Sequence, residues 1–250
     1  MKALVIDCAV SKLSLAAKNE DKVCVTSYDI GMKQSEILVS AIDYVLSSVE
    51  LKTNELDYTT ITIGPGSFTG LRLGISALKA IQLAYNVPVY GISTLEFYRY
   101  SLNNVFDLPI ISAIDAHKDC FYATITNNNQ ILLEEGDHPV EKIMQAISSL
   151  DKLLIVGPDS QKLKEIIAKE NDKIKIFCQN YQPICVESLF YITEDKIKKN
   201  DPPLHDYDGP AKFGVFAVCD PGNDGSIKDL ENEFIRHIKS FIEVKEGLYD

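Results

Sequence analysis

In the first part of the chain the apolar positions change spacing repeatedly, and each change marks a new element. KALVID (2–7) is a short unbroken apolar run, and KLSLAAK (12–18) is a second extended stretch. Asn19-Glu20-Asp21 supplies a turn before a third extended candidate, Val23 to Tyr28. From Ser35, placed as a helix cap, Ile37, Leu38, Ala41, Ile42, Val45, Leu46 and Val49 recur at three- and four-residue steps, which predicts a helix with one apolar face. A strand follows over Tyr58–Ile63, then a glycine-rich turn, a helix to about Tyr85 and a strand over Val87–Tyr90. Ser93-Thr94-Leu95-Glu96 has capping-box spacing and opens another helix.

The order then recurs. Pro109–Asp115, Cys120–Thr126 and Gln130–Glu134 read as strands, Pro139–Leu150 as a helix, Leu153–Val156 as a strand, the residues after Ser160 as a helix and Ile174–Cys178 as a strand. Two anchors fall in the same places of both copies: Ile6-Asp7 matches Ile114-Asp115, and Gly64-Pro65-Gly66-Ser67 matches Gly157-Pro158-Asp159-Ser160. Three strands able to form hairpins, followed by strands reached through helices, imply a mixed sheet with helices packed on it. The expected fold is α/β, with two actin-like lobes that each carry a mixed five-stranded sheet in a duplicated βββαβαβ pattern. The first lobe is assigned to residues 1–100 and a shorter second lobe to 101–210, with the boundary near 99–108. A divergent segment, 211–250, places Leu230, Phe234, Ile238 and Ile242 on one helical face.

Composition narrows the function classes. The chain has 250 residues, a formal net charge of −11 and 46% hydrophobic residues, enough to fill one large or two modest cores. At a sequence pI near 4.9 its long-range field repels nucleic acid and anionic lipid, which argues against a stand-alone RNA binder. The six cysteines form no CxxC pair and read as buried thiols of a reducing compartment. Asp7 and Lys12 interrupt what a signal peptide would need as an apolar core, and the expected location is cytoplasmic, with no membrane span.

In two-lobed folds of this kind, nucleotide phosphates lie between the hairpin turns that follow the first strand of each lobe. The corresponding stretches are Asp7-Cys8-Ala9-Val10-Ser11 and Asp115-Ala116-His117-Lys118-Asp119, so Asp7, Ser11 and Asp115 are the candidate nucleotide residues. Neither turn holds a glycine, and the alternative is that each aspartate ends its strand and accepts turn N–H groups. The stretch IGPGSFTGLRLG (63–74) lacks the lysine and hydroxyl that a phosphate-binding Walker loop needs after its last glycine, and its spacing is not that of a nucleophile elbow. It reads as geometry. Gly64, Pro65 and Gly66 make a sharp exit from a strand, and Ser67 or Thr69 caps the helix that follows. Gly70 and Gly74 then share a helical face with Ala77, Leu78 and Ile81, so either the helix's own sheet or a partner helix packs closely there. No two of the four histidines have metal-ligand spacing, and no catalytic or metal residue is assigned.

The run Gly64–Gly74 closely resembles the signature of the TsaB (YeaZ) family, supported by Ala3–Asp7, Gln34-Ser35-Glu36, Gly91–Glu96, Ala113–Ala116 and Cys120–Ala123. The resemblance is good to about residue 126 and thins toward 200. It implies a non-catalytic accessory subunit of threonylcarbamoyladenosine formation beside the tRNA anticodon, within the glycoprotease-named actin-like superfamily. It implies pairing with a catalytic TsaD homologue, joined by a TsaE-like ATPase, and a homodimer when the chain is alone. Nucleotide (ATP or ADP) and metal are expected on those partners or at the shared interface, with no intrinsic cofactor here, and tRNA is met only through the complex. The interface implied on the first two helices comprises Ile37, Leu38, Ile42, Gly70, Leu71, Gly74, Ala77 and Leu78. The chain departs from the family at Cys8-Ala9, at Gln34 and at its carboxyl end. Two enzyme readings compete: an actin-fold ATPase or small-molecule kinase, whose ATP binding would need Asp7, and a glycoprotease-like peptidase.

Overall fold

The computed structural model describes residues 1–100, 102, 107–127, 130–178 and 185–204. The described residues divide into two compact units, one formed by Met1–Ile92 with Leu189–Leu204, the other by those within Ser93–Ser188.

In the first unit, β1 (Lys2–Asp7), β2 (Lys12–Asn19) and β3 (Lys22–Asp29) form an antiparallel meander. The chain then leaves the sheet through α1 (Gln34–Ser48), returns as β4 (Tyr58–Thr62) parallel to β1, leaves again through α2 (Phe68–Tyr85) and returns as β5 (Val89–Ile92). The sheet order is β3-β2-β1-β4-β5. Period-two alternation sends Leu4, Ile6, Leu13, Leu15, Ala17 and Ile61 to one face. There they meet Leu38, Ala41 and Val45 of α1 and Ala77, Leu78 and Ile81 of α2 in one apolar core. Each of these large side chains contributes about 1.5–3 kcal/mol on full burial.

The second unit repeats the plan. After α3 (Thr94–Tyr100) come β6 (Ile110–His117), β7 (Cys120–Asn127) and β8 (Gln130–Pro139), then α4 (Val140–Ile147), β9 (Lys152–Val156), α5 (Ser160–Glu170) and β10 (Lys175–Cys178). Its sheet order, β10-β9-β6-β7-β8, is that of the first read from the other end, and Ile111, Phe121, Ile125, Ile155, Leu163 and Ile167 build its core. The two mixed five-stranded sheets and the duplicated element order are those the sequence implied.

Three local expectations change. Ser35 does not cap α1: a 3₁₀ turn at Gly31–Lys33 leads into the helix, and Lys33 at the cap position makes no side-chain cap bond. The boundary falls between Ile92 and Ser93 rather than at 99–108, because α3 packs on β6. The stretch from Leu189 to 204, placed by sequence in the second lobe, belongs to the first unit. There α6 (Ser188–Lys198) lies on the polar face of the first sheet. The Thr193 and Thr60 hydroxyls meet at 2.8 Å, and Glu194 takes an ion pair from Lys18 at 2.7 Å and a hydrogen bond from the Tyr58 hydroxyl at 3.2 Å. The divergent segment 211–250 lies outside the described residues.

Candidate functional site

The sequence signature forms a corner where β4 turns into α2. Gly64 sits at φ +110°, a conformation side-chain-bearing residues rarely adopt, and the Gly64-Pro65 peptide is cis. The Ser67 N–H donates to the Ala9 carbonyl at 2.6 Å, which fastens the corner to the turn after β1. Ser67, rather than the exposed Thr69, is the cap: its hydroxyl accepts from the Gly70 N–H at 3.3 Å. A Cβ at Gly66 would overlap the Ala9 carbonyl oxygen, one at Gly70 the Cys8 carbonyl oxygen, and one at Gly74 the Cys8 sulfur and the end of Ile61. The glycine stripe is thus explained by the unit's own sheet.

The residues of the interface expected from the resemblance fall into two groups. Gly70, Leu71, Gly74, Ala77, Leu78 and Leu38 are all buried within their own unit, whereas Ile37 and Ile42 are only half-buried. The large apolar side chains that α1 and α2 do expose are Tyr44 (56%) and Leu83 (58%). Spacing alone could not separate the faces, since the apolar stripe of each helix is broad enough to look two-sided.

The turn after β1 is filled from two directions. The Gln34 side-chain amide donates to the Val10 carbonyl at 2.6 Å, while Ser67 occupies Ala9 as described. Asp7 is 6% exposed, and its Oδ1 accepts from the Thr62 hydroxyl at 2.7 Å and from the Ala9 N–H at 3.2 Å. Burial pushes its carboxyl above the ordinary value, against those two hydrogen bonds and the attraction of Lys12. Cys8 is wholly buried, and desolvation, helped by the charge of Asp7, pushes its thiol far up, so it is packing material rather than a nucleophile. Ser11 is exposed. The structural contributions of Thr62 and Gln34 were missed by sequence; that Thr62 continues the parallel register of Ile6 and Ile61 was the only available signal.

The second unit has the corresponding corner between β9 and α5, where Gly157 lies at φ +116°. Asp115 makes the same aspartate turn, accepting the His117 N–H at 3.0 Å, but also pairs with the Lys162 ammonium at 2.6 Å, with the His117 ring 3.7 Å away. Burial alone would raise its pKa; the Lys162 and His117 contacts outweigh it and hold the carboxyl below its ordinary value. Asp159, at the cap position of α5, uses its carboxylate on the Asp115 N–H at 2.9 Å and does not cap its own helix. His117, Lys118 and Asp119 all have positive φ, so a strained hairpin tip carries the charged groups beside Asp115. Among the described residues no cluster of three or more histidine, cysteine or acidic side chains is placed to hold a metal ion, and no helix is long and apolar enough to cross a membrane.

Known proteins share this plan. The family model described as TsaD: tRNA N6-adenosine threonylcarbamoyltransferase matches residues 31–199, more than half of the chain. A protein from Buchnera aphidicola subsp. Schizaphis graminum named tRNA threonylcarbamoyladenosine biosynthesis protein TsaB is 24% identical over 188 residues, covering 72% of this chain and 90% of the relative. A tRNA N6-adenosine threonylcarbamoyltransferase of Staphylococcus carnosus is 27% identical over 141 residues, 50% of this chain but 41% of that longer protein. Among solved structures, YeaZ from Pseudomonas aeruginosa superposes with a TM-score of 0.67 at 17% identity, covering 82% of this chain and 97% of its own. On these matches the chain belongs to the TsaB (YeaZ) family, within the wider family described by the TsaD model.

Proposed function

We propose that this chain works in threonylcarbamoyladenosine biosynthesis as an accessory subunit without a catalytic centre of its own, paired with a longer TsaD-type protein. The carrying observation is the closed corner of the first unit. In an actin-like lobe, the turn after the first strand must offer free backbone N–H groups to phosphate. Here the Ala9 N–H of that turn is taken by Asp7, the Ala9 and Val10 carbonyls are held by Ser67 and Gln34, and the aspartate is buried and hydrogen-bonded inward. The extent of the matches points the same way, because the TsaB-named relative is covered almost end to end and the transferase-named one for less than half its length.

The partner docks on the outward side of α1 and α2, with Ile37 and Ile42 at its edge and Tyr44 and Leu83 as apolar anchors. ATP or ADP and metal are held by the TsaD-type subunit, by a TsaE-like ATPase or where the subunits meet, and tRNA is engaged by the assembly. Modification of tRNA in a reconstituted mixture tests the proposal. The TsaD-type protein from the same source, supplied with the other pathway components, should form little product until this chain is added. Full product formation without this chain, or transfer by this chain alone, would overturn the reading.

A further inference from the structure

The stretch from α6 to Leu204 grips the first sheet from both faces. α6 itself lies on the polar face, held there by Thr193 and Glu194. It ends in a left-handed cap: Asn200 has φ +60°, its N–H donates to the Ile197 carbonyl and that of Asp201 to the Lys196 carbonyl, both at 3.0 Å. Pro202 and Pro203 then rule out more helix. Leu204 runs beside the edge strand β5, where its N–H donates to the Val89 carbonyl at 2.7 Å. Its side chain packs on the apolar core beneath α1 and α2, on the opposite face from α6. The seat for that side chain exists because residue 91 is glycine. The Ile61↔Gly91 register turns position 91 toward this core, and a Cβ there would come within 2.9 Å of Leu204 Cδ2 and 2.8 Å of Ile63 Cγ2. Gly91 is not among the glycines with positive φ, so room for Leu204 and Ile63, rather than backbone freedom, is what requires it.

We infer that Leu204 is a latch on the docking face of the first unit. Ile63, which shares the space at Gly91, directly precedes the Gly64 corner, and its N–H is held by the Ile92 carbonyl at 2.9 Å. That corner launches α2. A side chain wedged beside Ile63 and Gly91 therefore sets how α2 leaves the sheet, and with it the outward side that carries Leu83. Leu204 is thus a positioning residue. A strap held by one backbone hydrogen bond and one half-buried side chain opens far more readily than a strand, which gives the unit two arrangements, latched and released. A partner that fits the latched arrangement better must tighten the latch on binding, by the same factor as the latch strengthens binding. The inference rests on the reading that a TsaD-type protein docks on α1 and α2.

Two readouts on the full chain test it: affinity for the TsaD-type protein of the same source, and amide exchange at position 204. Pro202 and Pro203 have no N–H, so the Leu204 amide reports the strap by itself. Gly91→Ala fills the seat and Leu204→Ala empties it. Each should speed exchange at 204 and weaken partner binding about 10-fold, with unfolding still cooperative. Leu204→Met, which refills the seat, should restore binding to within about twofold of wild type. Saturating partner should slow exchange of the wild-type Leu204 amide about 10-fold, a reciprocal effect that a side chain serving stability alone would not show. Val23→Lys combined with Val25→Lys, exposed on β3 at the far edge of the sheet, should match wild type in both readouts. Full affinity in both seat variants overturns the inference, as does exchange at 204 that saturating partner leaves unchanged. Absence of binding by wild type overturns the pairing itself and the inference with it, so the two failures are distinct.

Discussion

Two aspartates lie at matching places in the two units, Asp7 as the last residue of β1 and Asp115 two residues before the end of β6; both accept the N–H two residues on, and their surroundings push the two carboxyls in opposite directions from the ordinary value. The registers explain why. The last β1–β4 pair is Ile6↔Ile61, one residue before Asp7 and three before Gly64. The last β6–β9 pair is Ser112↔Val156, three residues before Asp115 and one before Gly157. Asp7 therefore sits beside Thr62 of β4, while Asp115, still paired with Phe121 of β7, lies past the end of β9 and meets Lys162. A duplicated dipeptide has been carried to two depths, and depth sets the chemistry: a closed packing joint in one unit, a charged surface corner in the other.

The glycines give the sharpest way to break the comparison. Gly70→Ala should destabilise the first unit by about 3 kcal/mol, because the added methyl meets a backbone carbonyl that cannot step aside. Gly74→Ala should cost less, about 1–2 kcal/mol, and be partly rescued by Cys8→Ala, since the methyl meets movable side-chain atoms. Urea unfolding of the single and double variants reads both. On the α6 seam, Thr193→Val strands the buried Thr60 hydroxyl and should cost about 2 kcal/mol, with Thr60→Val and Thr193→Val together costing less than the single change.

The carboxylates sharpen it further through pH. Asp7 is raised in the folded state, so its stabilising effect is complete below its ordinary value of 3.8 and declines as pH rises through its higher folded value. Asp7→Asn, which keeps an acceptor for Thr62, should be neutral or stabilising at pH 7 and lose that advantage in acid. Asp115 is lowered, so its contribution is present above 3.8 and fades as pH falls through its folded value. Asp115→Asn should cost about 1 kcal/mol at pH 7, a partly exposed pair, and nothing at the acid end. Thermal melts of both variants across pH 3–7 separate the two signs. Smallest is the helix cap: Ser67→Ala should cost about 0.5–1 kcal/mol in the first unit, whereas Asp159 caps nothing on α5.

Much of the fold was legible because both units announce themselves through period: alternating runs for strands, three-and-four spacing for helices, and the glycine corners between them. What was hidden depended on contacts distant in sequence. α6 was not anticipated, and its return to the first unit is fixed by Thr193 and Glu194 meeting residues of β4 and β2, which no local pattern records. The glycine stripe was legible as close packing but not as to what packs, since Cys8 and Ile61 come together only through the sheet register. The matching Ile-Asp anchors likewise gave the right order of elements and concealed the shift in depth.

If the first unit's closed corner leaves this chain to act through a partner, the partner must be bound by what α1 and α2 still expose. Light scattering after size exclusion, on this chain mixed with the TsaD-type protein of the same source, measures that directly. The account predicts a stable heteromer with wild type and with Val23→Lys combined with Val25→Lys, and its loss with Tyr44→Arg combined with Leu83→Arg in a chain that keeps its wild-type melting curve. Failure of the wild-type chain to form a heteromer, with nucleotide and the ATPase subunit also present, would contradict it. So would a heteromer indifferent to those two arginines.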